Sequence, residues 1–413
     1  MSKLLAYPVY RNSNIEWIGK IPSHWGTTKI RHIFQIKKRI AGKLGFDVIS
    51  VTQNGLKVKN IETGEGQISM DYSKYQLVDV GDFVMNHMDL LTGWVDRSNF
   101  KGVTSPDYRV FSLIDNSYCA DYYMRLCQVG YIEKIFYAYG QGVSHFGRWR
   151  FTTENFKEFI FPIPPKVEQE AIAKFLEKET NRVTTLIKKK SRFLDLLKEK
   201  RQTMVDEAIK HLKTEVLHIQ HCCTQVYRSV KRQDDEIYTP IGLYNRGRGI
   251  FHKEPTLGRN LGDSDFSYIK EGDLILSGQF SWEGAVALAG NIENDCIASH
   301  RYHIFRGKNH LLDTNYFWAY LTTKEGDFLL NENSRGSAGR NRPLNPNTLI
   351  KEKIPVPPIE EQLKIAKLVE KERKLKLAVD KSINLLKEHR TALITAAVTG
   401  QIDLREYAHD QTK

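Results

Sequence analysis

The chain has 413 residues, 41% of them hydrophobic and 11% aromatic, which allows two or three domains with proper cores and excludes a disordered basic tail protein. Its formal net charge of +12 calls for an acidic partner, nucleic acid first, and the charge must be carried by folded domains. Five scattered cysteines, Cys119, Cys127, Cys222, Cys223 and Cys296, exclude a disulfide framework and fit a reducing cytoplasm, and no apolar run approaches the roughly 20 residues that a membrane span needs.

Residues 1–25 form an N-terminal arm in which Trp17 and Trp25, set around Gly19 and Pro22, predict a packed, non-regular anchor. Residues 26–160 read as a small α/β domain. Short β-rich runs at 46–51 and 82–85 alternate with turn signals at Gly55, Gly64, Gly66 and Gly81, and a helix is expected over 120–130 with Tyr122, Tyr123, Leu126 and Cys127 as its apolar face. Residues 161–213 open on Phe161-Pro162-Ile163-Pro164-Pro165-Lys166-Val167-Glu168-Gln169 and run into a long amphipathic helix.

Residues 214–353 repeat the first domain with little identity. Val80-Gly81-Asp82-Phe83-Val84 is echoed by Glu271-Gly272-Asp273-Leu274-Ile275, Arg109-Val110-Phe111 by His303-Ile304-Phe305, and Tyr122-Tyr123 by Tyr316-Phe317. At 354–404 the proline segment returns as Ile354-Pro355-Val356-Pro357-Pro358-Ile359-Glu360-Glu361-Gln362, with a second long helix closed by Gly400 as a left-handed cap; 405–413 is a tail. Heptad rows run through Leu176, Val183, Leu197 and Met204 beside Ile172, Leu186 and Phe193, then through Ile365, Val379, Leu386 and Leu393 beside Leu368 and Leu375. Lys190 and Glu372 interrupt these rows and read as solvated flaws. Each helix spans roughly 40 residues, about 60 Å at 1.5 Å per residue. Neither buries its stripe alone, so the two are expected to pack as an antiparallel coiled coil.

The expected fold is therefore α+β: two similar α/β domains separated by two long helices, with a pseudo-two-fold internal repeat. Such an object can touch a duplex at two places. Loops that hold Arg, Asn, Gln or Ser near Gly are the candidate readers, because Arg suits guanine, Asn and Gln suit adenine, and phosphates take basic and hydroxyl groups. In the first domain these are Asn86, His87, Ser144, His145, Arg148 and Arg150. In the second they are Ser277, Gln279, Ser281, Arg335, Ser337, Arg340, Asn341 and Arg342. Lys57, Lys59, Arg246 and Arg248 are candidate phosphate contacts. Trp149 and Trp282 are read as core aromatics ahead of base wedges. His218, His221, Cys222 and Cys223 do not make a zinc site, since vicinal cysteines share a tetrahedral ion poorly and no second Cys-x-x-Cys pair exists.

Trp17-Ile18-Gly19-Lys20-Ile21-Pro22-Ser23-His24-Trp25, the doubled proline segments ending at Gln169 and Gln362, and Val398-Thr399-Gly400-Gln401-Ile402-Asp403 resemble the specificity subunit of Type I restriction-modification systems over essentially the whole chain. The resemblance implies a non-catalytic reader of double-stranded DNA, with the two globular segments as target recognition domains for a bipartite sequence. It also implies two methyltransferase subunits docked on the helical regions and restriction subunits joined through the complex. No cofactor is then bound by this chain; S-adenosylmethionine, ATP and Mg belong to partner subunits, and the location is cytoplasmic. A fused restriction or methylation enzyme is the first alternative, opposed by the absence of Asn-Pro-Pro-Tyr, Asp-Pro-Pro-Tyr and Gly-x-x-x-x-Gly-Lys-Ser/Thr motifs. A structural coiled-coil or RNA-binding protein is the second, and competition between duplex DNA and RNA separates it.

Overall fold

The Gly-Asp pair found in each half of the sequence turns out to bolt a central strand in place. In the computed structural model, which describes residues 4–59, 71–142, 149–336 and 342–408, the chain divides into two units. One comprises Met1–Ile187 with Ile383–Lys413 and the other Lys188–Ser382.

In the first unit, a four-stranded antiparallel sheet has the order Phe34–Lys37, Arg109–Leu113, Phe83–Met85, Val95–Arg97, with Phe111 opposite Phe83. Asp82 enters the central strand 2% exposed. A carboxylate so placed must be fully partnered. It accepts Lys37 Nζ at 2.6 Å, the Arg39 guanidinium, and the Asp79 backbone N–H at 3.0 Å, which closes the turn. Beside the sheet stands the hairpin Ile49–Thr52 with Gly55–Val58, so the β-rich run expected at 46–51 becomes a strand only from Ile49. The helix Ala120–Ile132 buries Tyr122, Tyr123, Leu126 and Cys127 as its periodicity predicts.

The second unit repeats this order with Cys223–Val226, Tyr302–Gly307, Leu274–Ser277 and Val286–Leu288. Its hairpin is Ile241–Tyr244 with Gly249–His252. Asp273 is fully buried and accepts Arg228 at 2.7 and 3.0 Å, Arg306 Nε at 2.5 Å and the Lys270 backbone N–H at 2.8 Å. Two sequences with few shared residues thus close the same turn with the same ionic device.

The repeated Glu-Gln has an equally local cause. Gln169 and Gln362 are buried at the starts of the long helices Lys166–Ile209 and Ile359–Val398. Gln169 Oε1 accepts the Cys119 N–H at 2.8 Å and its Nε2 donates to Pro164 O at 2.9 Å. Gln362 does the same with the Asp313 N–H at 2.8 Å and Pro357 O at 2.7 Å. Cys119 and Asp313 cap the domain helices Ala120–Ile132 and Thr314–Leu321, so each glutamine staples a long helix to the helix of its own domain.

Within the first unit, Ile172, Phe175 and Leu176 from the start of the first long helix share a core with Leu393, Ile394, Ala397 and Val398 from the end of the second. Within the second unit, Val205 and Ala208 from the end of the first share a core with Ile365 and Val369 from the start of the second. In both, start meets end, the antiparallel sense expected. The heptad reading fails at two positions: Leu186 and Phe193 are 39% and 43% exposed, because Ala171, Phe175, Arg201, Val205 and Ala208 carry the buried face instead. Glu372 is not a solvated flaw. Arg201, itself buried, donates to both its oxygens at 2.9 and 2.8 Å and lies 4.5 Å from the Trp318 ring. Lys190 is half-buried.

The arm is more regular than expected, with Tyr10–Asn12 paired to Lys20–Pro22. Glu168 anchors it, accepting from Tyr7 Oη at 2.8 Å and Trp25 Nε1 at 3.0 Å, with His24 Nε2 at 2.6 Å. Gly400 caps the second long helix at φ +75°, and the Gln401 N–H reaches Ala396 O at 2.8 Å. Among the described residues no helix is long and apolar enough to cross a membrane.

Candidate nucleic-acid interface

Three connections gather at one end of each sheet: the loop after the central strand, the segment that leads to the proline motif, and the tip of the side hairpin. Backbone pairing fixes them. In the first domain the Phe151 N–H donates to His87 O at 2.9 Å and the Leu90 N–H to Trp149 O at 3.2 Å. In the second the Leu344 N–H donates to Gly278 O at 2.8 Å. The central strands Phe83–Met85 and Leu274–Ser277 therefore deliver the first loop against the second in the same way, with Phe151 and Leu344 as equivalent buried plugs. The hairpin tips close the cluster. Gln53 Nε2 reaches Thr92 O at 3.4 Å; in the other domain the Arg246 N–H donates to Glu283 O at 2.8 Å and the Gly247 N–H to Gly284 O at 2.7 Å.

The structure brings Asn86, His87 and Arg150 together. Asn86 Oδ1 accepts the Met88 N–H at 3.2 Å, and Tyr131 Oη donates to Asn86 O at 2.8 Å, which ties the loop to the domain helix. His87 is pushed down to about 3, first by burial and then by the charges of Arg109 and Arg150, so its ring is neutral at physiological pH. Lys57 is exposed on the hairpin and Lys59 is half-buried just beyond it. Ser144, His145 and Arg148 lie outside the described residues, as do Ser337, Arg340 and Asn341.

In the second domain Gln279 is exposed at the loop, but Ser277 and Ser281 are buried. Ser281 Oγ donates to Ser277 O at 2.5 Å, and Ser277 Oγ accepts the Phe280 N–H at 3.1 Å. Both side chains are buried, and both hydroxyls are engaged in shaping the turn. Arg342 Nε donates to Ser334 O at 3.1 Å, and its guanidinium lies 5.1 Å from the Trp282 ring. Arg335 is exposed and paired with Glu332 at 2.7 Å. Arg246 and Arg248 stand exposed on the hairpin tip, where Lys376 Nζ of the second long helix donates to Arg248 O at 2.8 Å. A cleft of about 1100 Å3 borders this tip.

Arg109 escaped the sequence reading because it sat inside a strand echo and looked like framework. It is 4% exposed, opposite Met85, donates from Nη2 to Phe151 O at 3.0 Å and stacks 4.5 Å from the Phe156 ring. Burial pushes it down to about 10. Its charge next to a strand end was the one available signal. Trp149 is 36% exposed and donates to Tyr137 O at 2.5 Å, while Trp282 Nε1 donates to Gln279 O at 3.1 Å.

A tandem of like domains, each presenting a loop cluster at one sheet end and each followed by a long helix, defines an α+β protein with an internal repeat. The type I restriction modification DNA specificity domain matches twice, over residues 22–194 and 214–387, and the chain belongs to that family. The family is that of a DNA-recognition component. No curated protein matches the chain. Among solved structures, a chain from work on complex assembly and conformational transition of the type I R-M system is 15% identical, with TM-score 0.59, covering 92% of this chain and 98% of that one. The HsdS subunit from Thermoanaerobacter tengcongensis is 15% identical with TM-score 0.47 over 92% and 98%. A Type-I restriction-modification S subunit from M. genitalium is 12% identical with TM-score 0.45 over 97% and 99%. At 15% identity the likeness to the first of these concerns the fold alone.

Proposed function

We propose that this chain is the DNA-specificity subunit of a type I restriction-modification complex, without catalytic activity of its own. Residues 26–160 and 214–353 each read one half of a bipartite duplex target. The arm, 1–25, anchors the first; the helical regions 161–213 and 354–404 set the spacer and dock two methyltransferase subunits, through which restriction subunits join. S-adenosylmethionine, ATP and Mg act on those partners, and the complex works in the cytoplasm.

The observation that carries this reading is the repeated three-loop cluster. One framework holds the loops at the same strand end in both domains, while the side chains offered there differ: Asn86, His87 and Arg150 in one, Gln279, Arg246, Arg248 and Arg342 in the other. A shared scaffold that offers unlike base and phosphate contacts is what two different half-sites demand. Mapping methylated positions across a genome with and without this chain tests it. The expected outcome is a bipartite motif that vanishes with the chain, and whose gap alone lengthens when four residues, about one helical turn, are added after Lys190. An unchanged methylation pattern refutes the assignment.

A further inference from the structure

The first domain holds a buried cationic corner that the second lacks. Arg109 Nη1, Arg150 Nε and His87 Nδ1 are all buried without a hydrogen-bond partner among the described residues. They share one strand end: Arg109 grips Phe151 O, Phe151 donates to His87 O, and Arg150 is the residue before Phe151. Among the described residues no carboxylate lies within ion-pair distance of Arg109 or Arg150, although other buried cations such as Arg201 have one. Withdrawing a guanidinium from water without an anion is strongly unfavourable. The fold does not require it. His303 occupies the place of Arg109 in the second domain, since it pairs with Leu276 as Arg109 pairs with Met85, and burial favours its neutral form. Gly278 and Pro343 stand where the first domain has His87 and Arg150.

We propose that Arg150, with Arg109 and His87 behind it, forms an anion corner that takes one backbone phosphate of the DNA half-site bound by the first domain, and that the second domain has no counterpart. The inference rests on reading this domain as a DNA binder. Arg150 is the point of entry: it is half-buried and has no side-chain hydrogen bond among the described residues. The two guanidiniums only donate, so the ligand must accept. A guanine edge also accepts, but it is uncharged and leaves two adjacent cations uncompensated, whereas a phosphate supplies the missing charge and suits the fork of a guanidinium. Arg109 acts as a positioning residue. It holds the Phe151 carbonyl and adds its charge through a poorly screened interior.

The test is a cycle between protein and DNA in the 413-residue chain, using a duplex that bears the mapped target. Each phosphate of the first half-site is replaced in turn by a neutral methylphosphonate. Wild type should lose about tenfold in affinity at one position, and Arg150→Gln should lose as much on native DNA with no further loss at that position. Its salt slope should fall by about 0.9. Arg109→Gln should act in the same direction, while Arg150→Gln, which loses no hydrogen bond and removes an uncompensated charge, should melt no lower than wild type. Additive losses at every position, an unchanged salt slope, or a loss tied to one base pair overturns the corner while DNA reading stands. A wild-type chain that binds no duplex overturns both.

Discussion

Replacing Asp273 by alanine tests whether the buried carboxylate bolts the second domain. The wild-type side chain is fully buried and accepts three guanidinium N–H groups and one backbone N–H. Removing it leaves Arg228 and Arg306 facing a vacated site and frees the Lys270 N–H. Breaking a buried pair typically costs about 3 to 5 kcal/mol. Arg306 is 39% exposed and recovers part of its solvation, so its share is discounted, while Arg228 at 22% recovers less. We therefore expect about 3 to 4 kcal/mol, which for a unit of this size lowers the melting temperature by about 10 °C. Calorimetry of Asp273→Ala gives the single value. Arg228→Met and the double variant complete a cycle in which the double is less destabilised than the two singles added together. A drop below about 2 °C, or strict additivity, would refute the bolt.

Gly400→Ala should destabilise the first unit by more than about 2 kcal/mol, since a left-handed residue there costs about 1 kcal/mol and a Cβ would meet Pro22 Cδ at 2.5 Å; thermal unfolding reads it. Gln169→Leu and Gln362→Leu should each cost about 1 to 3 kcal/mol by stranding the Cys119 or Asp313 N–H, and hydrogen exchange at those amides should accelerate locally. His87 is held below its unfolded value, so the folded state binds fewer protons and stability declines as pH falls from about 6.5 towards about 3. His87→Gln should lose less stability than wild type between pH 7 and pH 4 in urea titrations at the two pH values; equal losses would contradict the burial.

The long helices were legible in the sequence because their start is marked chemically, by paired prolines and an acidic turn, and because the motif occurs twice. Their buried face was less so. Phe193 and Leu186 kept the heptad period yet face outwards, since what covers a helix depends on its neighbours and not on its own period. Glu372 looked like a flaw because its partner, Arg201, is remote in sequence. The loop cluster could be outlined from Gly, Arg and Asn content, but Ser277 and Ser281 show the limit of composition. A serine near glycine suits a DNA contact and a tight turn equally, and the turn hydrogen bonds of these two appear only in the structure. Arg109 was hidden for the opposite reason, a charge inside a β-run.

The central strands Phe83–Met85 and Leu274–Ser277 are only three and four residues long, and their two ends live under different constraints. The entry is locked by an ion cluster; the exit opens directly into the loops in which the two domains differ. Substitutions should therefore be tolerated asymmetrically, with collapse at one end and altered preference at the other, across a distance of about 10 Å. A library randomised on the exit side alone would explore new targets on an undisturbed chassis.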